Sequence, residues 1–454
     1  MVLSQNNDLT QGAPLRKIIQ FSIPLVGGSI FQQFYNFIDT LIIGRLLGID
    51  ALAAIGAYYP LSFLILGFVQ GSCIGFSIPL AQSVGEENPR HIQRYLVGGY
   101  LICLVLAIII TPIMIVSTHS ILTLLSTPHQ ILQLATGFTM IAFAGIPANI
   151  LYNYSASALR AFGDSNHPFY FLVMSLFLNI ALALFMILYL HLGLLSVAIA
   201  TVISEFFAGI LNVIFFIYSG RFPKIKVTTD GLNRRILGHI CMIGFPMGLE
   251  YSVSAIGAVI MQDAINLLGV TAVAAQSAGD KIRQLFTLPM ESVGMAIATY
   301  MAQNYGARKP QRIKQGIKSG SLIQLSWSFA AFVLVMIFKK TLIGLVLGTT
   351  HGQTFHLTDI YLTTISFFFI VHGLLMIFRN TLQGLGHSMY AIVSGLGELV
   401  GRGIASLVAM TSIGYTAICY ANQLAWGLSL CYCVFMVWWV FKKDNHLKPN
   451  TTPL

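Results

Sequence analysis

Long apolar runs recur along the whole sequence, and they constrain its fold more than any other feature. A helix needs about 20 apolar residues to cross the roughly 30 Å of hydrocarbon in a bilayer, and runs of this length repeat from end to end. Only 9% of the 454 residues are charged, whereas soluble domains carry about 25%. So few charges cannot cover a surface that faces water. We therefore expect one membrane domain and no large soluble domain.

The apolar runs predict an all-α polytopic membrane protein with twelve transmembrane helices. No alternation of polar and apolar residues, which would indicate a membrane β-barrel, competes with the helical pattern. In the first half we predict helices at about 15–43, 52–82, 92–117, 130–161, 167–190 and 194–220. In the second half we predict helices at about 237–268, 273–304, 312–338, 353–383, 388–412 and 415–441.

The two halves of the sequence repeat each other. L-G-I-D-A-L-A-A from Leu47 matches L-G-V-T-A-V-A-A from Leu268. Three further pairs occur at nearly the same offset: Pro24 with Pro246, Q-S-V-G-E-E-N-P from Gln82 with Q-N-Y-G-A-R-K-P from Gln303, and L-R-A-F-G-D-S from Leu159 with L-Q-G-L-G-H-S from Leu382. Matches in order at a nearly constant offset indicate an internal duplication. Because each repeat has an even number of helices, we expect two parallel repeats related by a pseudo-two-fold axis along the membrane normal.

The duplication predicts two six-helix lobes separated by a polar linker. We place the amino-terminal lobe at 1–220, a basic linker at 221–236, the carboxy-terminal lobe at 237–442 and a tail at 443–454. Lys and Arg collect in cytoplasmic loops, so the linker, the tail and both termini are predicted to be cytoplasmic. In this topology Arg379 is cytoplasmic, and all but six of the 25 Lys and Arg residues share its side of the membrane. The six exceptions are Arg45, Lys281, Arg283, Lys339, Lys340 and Arg402.

Sequence signals of enzymes are missing. The chain has no Walker A string, no H-E-x-x-H, no G-x-S-x-G and no dinucleotide fingerprint, so we predict neither enzymatic chemistry nor direct use of ATP. The basic linker lacks the interleaved aromatic residues of a nucleic-acid surface, so we predict no nucleic-acid partner. Paired repeats often rock against each other around a central site, which favours transport across the membrane. No cofactor is expected beyond a coupling ion.

Several strings together resemble the multidrug and toxic compound extrusion (MATE) family, over roughly Leu15 to Lys442. They are F-I-D-T-L-I-I-G-R-L-L-G from Phe37, A-Q-S-V-G-E-E-N-P from Ala81, L-R-A-F-G-D-S from Leu159, L-P-M-E-S-V-G from Leu288 and A-Q-N-Y-G-A-R-K-P from Ala302. The resemblance implies two six-helix lobes that form a V-shaped cavity. It also implies export of cationic or amphipathic compounds in exchange for H+ or Na+. The likeness is to bacterial members, which implies a multi-pass protein of the bacterial inner (cytoplasmic) membrane.

Asp39 is the first candidate for function. An ionisable group in hydrocarbon costs roughly 2.5–3.5 kcal/mol on insertion scales, so each such residue is a candidate by default. Asp39 lies in an apolar part of the first helix, where it could exchange a proton or, with neighbouring oxygens, hold Na+. The alternative is a structural hydrogen bond between helices. By the resemblance, Asp39 matches the coupling aspartate of the family's first helix.

The resemblance also points to the fifth and sixth helices. Asn179 matches a cation-site asparagine of the family, which would share Na+ with Asp39. Some members carry an aspartate four residues later, where this chain has Ala183, so one carboxylate of that site is missing. Glu205 lies on the sixth helix where a neutral amide is common in the family. It could compensate for the missing acid, or it could pair with a nearby polar helix face.

Charged residues in the second half give further candidates. Glu250 on the seventh helix loosely matches a family glutamate. His372 on the tenth helix lies where some members carry a coupling aspartate, and a histidine can titrate near physiological pH. A structural role is the alternative for His372. Glu398 and Arg402 are four residues apart on the eleventh helix, so they share one face and form either a self-neutralising pair or a gate between lobes.

A substrate cavity could be lined by one further acid and by aromatic rings. Glu291 on the eighth helix either lines the cavity or contacts another helix. Aromatic faces attract organic cations, although such rings can equally face lipid or other helices. The aromatic candidates are Phe31, Phe34, Tyr35 and Tyr152.

The sequence therefore predicts a secondary antiporter that exports amphipathic, cationic compounds by alternating access. One chain can complete the two-lobed cavity, so we expect a monomer. Two alternatives stay open: a flippase for lipid-linked oligosaccharides with a related fold, and an uncoupled membrane channel or receptor. The mostly acidic intramembrane charges favour cationic cargo over a pyrophosphate-linked lipid, and the tandem duplication argues against a channel or receptor.

Overall fold

The computed structural model describes residues 8–125, 127–220, 233–411 and 413–447. Most of the predicted linker, at 221–232, and most of the predicted tail, from 448 onward, lie outside the described residues. The described chain is almost entirely helical and contains no β-strand. The predicted all-α class is therefore confirmed.

The first half of the chain forms six helical segments built from eight helices. A turn at Ser77 joins the second and third helices, and the fifth and sixth form one segment bent by 42°. The helices are α1 Pro14–Leu46, α2 Ile49–Phe76, α3 Ile78–Gly85, α4 Pro89–Leu124, α5 His129–Ala144, α6 Ile146–Ala161, α7 Asn166–Leu188 and α8 Leu195–Tyr218.

The second half repeats this pattern of six segments. Its fourth segment is again a bent pair, with an angle of 49°, and its last two helices run on from each other. The helices are α9 Arg234–Leu267, α10 Val270–Gly306, α11 Pro310–Leu347, α12 Gln353–Phe367, α13 Phe369–Gly384, α14 Ser388–Ala409, α15 Tyr415–Cys419 and α16 Ala421–Lys443. The described chain thus has twelve helical segments, which is the predicted number.

Ten of the twelve segments are long and apolar enough to cross a bilayer, when each bent pair is taken as one span. The two segments that do not reach this hydropathy are α1 and α10. Both carry charged residues inside the helix, among them Asp39 in α1 and Glu291 in α10. Ionisable residues within a membrane segment mark sites of function, so these two helices are candidates to carry a functional site.

The backbone repeats between the halves as well as the sequence. Positive φ angles, which favour glycine, recur at the same offsets as the repeated strings. The matched pairs are Gly48 (88°) with Gly269 (92°), Gly163 (81°) with Gly386 (84°), Gly193 (60°) with Gly414 (58°), and the two non-glycine residues Glu87 and Arg308 (both 53°). The duplication is therefore a property of the fold, and equivalent positions can be compared directly.

The described chain divides into two compact units. The amino unit consists mainly of Gly27–Gly248, and the carboxy unit consists of Leu9–Val26 and the chain from Leu249 onward. The predicted lobes differ from these units at the beginnings of α1 and α9. The beginning of α1 belongs to the carboxy unit, and the beginning of α9 belongs to the amino unit. In both helices the boundary between the two units follows the second residue after a proline, Pro24 in α1 and Pro246 in α9.

The second Q-N-Y-G-A-R-K-P string holds the segment that leads into α1. The Leu9 N–H donates to Gln303 Oε1 at 3.1 Å, and Asn304 Nδ2 donates to the Leu9 carbonyl at 3.2 Å. Arg312 donates to the carbonyls of Leu9 at 3.0 Å and Gly12 at 2.8 Å. Leu9 is itself buried in the core of the carboxy unit. This part of the repeated motif therefore has a structural role.

A close approach of α2 and α9 in the amino unit depends on Gly75. A Cβ added at Gly75 would lie 2.5 Å from the Gly244 Cα. We expect Gly75→Ala to lower the stability by about 1–3 kcal/mol, because the helices must separate. Gly56→Ala in the same helix is the matched control, since nothing lies within 4 Å of its added Cβ. It should change the stability by less than about 1 kcal/mol. Thermal unfolding of the detergent-solubilised protein measures both, and equal melting temperatures would contradict the close approach.

Candidate functional site

A polar cluster joins α1, α7 and α8 inside the amino unit. The Tyr35 hydroxyl lies 2.8 Å from Thr201 Oγ1, and Asn179 Nδ2 donates to these two oxygens at 2.9 and 3.1 Å. Asp39 lies one turn after Tyr35 on α1, and its carboxylate is beside the Tyr35 hydroxyl. The structure thus brings together three of the sequence candidates, Tyr35, Asp39 and Asn179. It adds Thr201, which the sequence analysis missed.

Two buried oxygens of this cluster have no hydrogen-bond donor among the described residues. They are Asp39 Oδ1 and Asn179 Oδ1. Asp39 also forms no ion pair with a basic side chain of the described chain. Buried acceptors are normally satisfied, and an unpaired carboxylate in hydrocarbon is costly. The arrangement fits a proton or a small oxygen-seeking cation such as Na+. In the described ranges no group of three or more His, Cys, Asp or Glu could hold a metal ion.

Glu205 is a second acid of the amino unit, one turn after Thr201 on α8. Asn149 Nδ2 donates to Glu205 Oε1 at 3.0 Å. Asn153 Nδ2 donates in turn to Asn149 Oδ1 at 3.0 Å, which orients the Asn149 amide. Within the described chain Glu205 forms no ion pair either. Ala183 is fully buried and adds no polar group.

The two buried glutamates of the carboxy unit are fully paired, in contrast. Arg379 lies between them, with Nε 2.9 Å from Glu250 Oε1 and Nη1 2.8 Å from Glu398 Oε1. Arg402 Nη2 lies 3.2 Å from Glu398 Oε2, and Gln383 donates to Glu250 Oε2 at 2.7 Å. Two glutamates and two arginines therefore neutralise one another, which is what buried charges require.

Arg379, which the sequence analysis counted among the cytoplasmic residues, lies within a helix rather than in a loop. Its side chain is only 14% exposed and sits in α13 between Glu250 and Glu398. Counting positive charges treats an arginine near a predicted helix end as a loop residue. The sequence did not reveal its partners, because Glu250 lies on α9 and Glu398 on α14. Glu398 and Arg402 do contact each other, but as part of this larger network.

Equivalent positions in the two repeats carry different chemistry. Aligned on the flanking glycines with matched φ angles, Asn179 and Thr201 correspond to Arg402 and Asn422. The contacts correspond too, because Arg402 Nε donates to Asn422 Oδ1 at 3.2 Å, as Asn179 does to Thr201. The carboxy unit thus has a fixed guanidinium where the amino unit has a neutral amide.

The same comparison explains how the guanidinium fits. Counted from the matched prolines of α1 and α9, Tyr35 corresponds to Gly257. A Cβ added at Gly257 would lie 3.4 Å from Arg402 Nη1, so a tyrosine ring at this position would overlap the Arg402 side chain. Arg402 Nη1 also donates to the Ser254 carbonyl at 2.9 Å. The carboxy unit therefore carries a permanent cation at the position equivalent to the polar cluster.

The His372 ring packs against Trp426 and lies outside the ion pairs formed by the two glutamates and two arginines. Its Nε2 lies 3.9 Å from Glu291 Oε1, and its ring centroid lies 4.4 Å from that of Trp426. Both ring nitrogens are buried without a hydrogen-bond partner among the described residues. The Glu291 side chain is 49% exposed.

The four aromatic candidates occupy different surroundings. Tyr35 belongs to the polar cluster, and Tyr152 is partly buried in the amino unit. Phe34 is 62% exposed, and Phe31 packs edge to face on Phe169 with a centroid distance of 5.8 Å. Of the four, Tyr35 is therefore the one tied by hydrogen bonds to the candidate site.

The twelve helical segments of the described chain, ten of them long and apolar enough to cross a bilayer, define a polytopic membrane protein built from two repeats. The chain belongs to the MatE family, because a sequence model of that family matches residues 24–185 and 243–401. One matched stretch lies in each repeat.

Related proteins are similar over nearly the whole chain. "Probable multidrug resistance protein YoeA" of Bacillus subtilis is 25% identical over 446 residues, which cover 95% of this chain and 96% of the relative. An "FAD transporter" of Shewanella oneidensis is 23% identical over 393 residues, 86% of each chain. The fold matches a solved "Outward-facing conformation of a multidrug resistance MATE family transporter of the MOP superfamily". That match has a TM-score of 0.89 and 20% identity, and it covers 98% of this chain and 100% of the other.

Glu398 neutralises two arginines, so its removal should destabilise the carboxy unit. Glu398→Ala leaves Arg402 without a carboxylate and Arg379 with only one, and breaking a buried ion pair typically costs about 3–5 kcal/mol. We expect a clearly lower melting temperature in detergent. Glu291→Ala is the matched control, because the Glu291 side chain is exposed and should contribute less than about 1 kcal/mol. Similar melting temperatures for both variants would show that the network does not stabilise the fold.

Proposed function

We propose that this chain is a secondary active antiporter that exports amphipathic, cationic compounds in exchange for H+ or Na+ by alternating access. One observation carries the proposal: the Asp39 carboxylate lies inside a membrane helix without a basic partner in the described chain. The name of the Bacillus subtilis relative, which refers to multidrug resistance, supports an export role.

The coupling ion is proposed to bind at Asp39. A proton would neutralise the carboxylate. Na+ would find oxygen ligands in Asp39, in Asn179 Oδ1 and in the hydroxyls of Tyr35 and Thr201. Either ion removes an unpaired charge from hydrocarbon, so it favours the conformation in which this carboxylate is shielded from water. Such an ion drives transport only because it binds the two conformations with different affinity.

We assign the coupling to the amino unit alone. The equivalent position of the carboxy unit already holds the Arg402 guanidinium. Both oxygens of Glu250 are bonded, one to Arg379 and one to Gln383, and His372 packs against Trp426. In this proposal Glu250 and His372 therefore stabilise the carboxy unit, and each molecule has one ion-exchanging site.

We propose a multi-pass location in the bacterial cytoplasmic membrane, with both termini in the cytoplasm. The distribution of Lys and Arg supports this orientation.

We also propose that a monomer is active. All residues of the polar cluster come from one unit of one chain, so the candidate site needs no second copy.

A carrier of anionic cargo fits these charges less well. The Shewanella oneidensis relative is named for FAD, which carries a pyrophosphate, and a flippase for lipid-linked oligosaccharides would face the same group. Recognition of a pyrophosphate needs unpaired basic side chains. Inside the described helices Arg379 and Arg402 are held by carboxylates, whereas Asp39 and Glu205 have no basic partner.

The test is ethidium efflux from proteoliposomes under an imposed H+ gradient and, separately, an imposed Na+ gradient. We expect Asp39→Asn to reduce gradient-driven efflux to the background rate, because a neutral amide does not take up a proton and has no negative charge to balance that of Na+. Asp50→Asn is the matched control, since Asp50 is exposed at the beginning of α2, and it should transport at the parent rate.

Other outcomes would reject the proposal. Efflux by Asp39→Asn at the parent rate would remove Asp39 from coupling. A current that is independent of both gradients would favour a channel. Flipping of a lipid-linked oligosaccharide without ethidium efflux would favour the flippase.

A further inference from the structure

Glu205 is a membrane carboxylate without a role in the coupling proposed above. Its side chain is partly buried, and Oε1 accepts the hydrogen bond from Asn149. No described residue donates a hydrogen bond to Oε2, and Oε2 is not fully buried. One carboxylate oxygen is thus fixed by the fold, while the other is free to meet a ligand.

The repeat shows that the fold does not need an acid at this position. By the same alignment of the two halves, Glu205 corresponds to Trp426 and Asn149 to His372. In the carboxy unit the two rings of this pair lie 4.4 Å apart. A neutral aromatic pair therefore fills the place that Glu205 and Asn149 fill in the amino unit. Because a carboxylate in hydrocarbon is costly, its presence here calls for a function.

Aromatic side chains lie near Glu205. Tyr58 on α2 and Tyr152 on α6 lie close enough to interact with Glu205 electrostatically. The Tyr58 ring packs edge to face against Phe138 at 5.1 Å. A carboxylate beside aromatic rings suits an organic cation, because the rings attract the positive charge and also cover its apolar groups.

We propose that Glu205, oriented by Asn149, binds the positive charge of the exported compound, while Asp39 binds the coupling ion. The inference rests on the proposed function and names its substrate class, a monovalent amine, quaternary ammonium or phosphonium ion with apolar substituents. Asp39 and Glu205 then each neutralise one positive charge. Asn149 acts as a positioning residue, since it holds the carboxylate and does not itself carry charge.

The test measures binding of two dyes to the full chain in nanodiscs. Ethidium carries a permanent positive charge, and Nile red is neutral. Glu205→Gln preserves the size of the side chain, and its amide oxygen can still accept from Asn149. We expect it to weaken ethidium binding about tenfold or more, the loss of one charged contact, and to leave Nile red binding within about twofold. Glu87→Gln changes an exposed glutamate of the same unit and should bind both dyes as the parent does.

A second variant separates recognition from folding. Asn149→Ala frees the Glu205 carboxylate, so it should weaken ethidium binding less than Glu205→Gln and again spare Nile red. Unchanged ethidium binding in Glu205→Gln would overturn the inference, and so would an equal loss of both dyes. A different result would reject the proposed antiport but not the role of Glu205: the parent protein binds ethidium, and neither an H+ gradient nor a Na+ gradient drives ethidium transport.

Discussion

A charge inside hydrocarbon needs a partner, and the two units of this protein meet that requirement differently. In the carboxy unit Arg379 and Arg402 neutralise Glu250 and Glu398 by contacts of 2.8 to 3.2 Å. The pairing is internal and permanent, so this unit has no need of a mobile ion. The amino unit keeps Asp39 without such a partner in the described chain. A cation from solution is then the partner that chemistry allows.

Duplication makes this difference informative. The same backbone is present twice, since positive φ angles recur at matched positions, yet one copy has Asn179 where the other has Arg402. A tethered guanidinium and a transported cation are alternative solutions to the same electrostatic problem. One repeat has the first solution, and in the antiport proposed above the other has the second. The asymmetry would be invisible in either half alone.

The sequence predicted the fold more completely than the site. Apolar length and a constant offset are properties of local sequence, so they predicted twelve helices and two repeats. Asp39 was a candidate because it is an acid in an apolar helix and also by resemblance, whereas Asn179 was found by resemblance alone. The ion pairs of Arg379 and the hydrogen bonds of Thr201 were missed, because ion pairs and hydrogen bonds between helices depend on side chains far apart in sequence. Thr201 lies one turn before Glu205, and this spacing on one helix face was the available signal.

Helix α1 connects the site to the rest of the chain. It carries Asp39, and it fails the hydropathy of a simple membrane span. Its beginning, with Ile18 and Phe21 in a buried core, belongs to the carboxy unit, whereas its later part belongs to the amino unit. In the antiport proposed above, a cation at Asp39 acts on a helix whose residues are divided between the two units. Helix α9 has the same division but has Met261 at the equivalent position, so in that proposal the ion acts through α1 and not through α9.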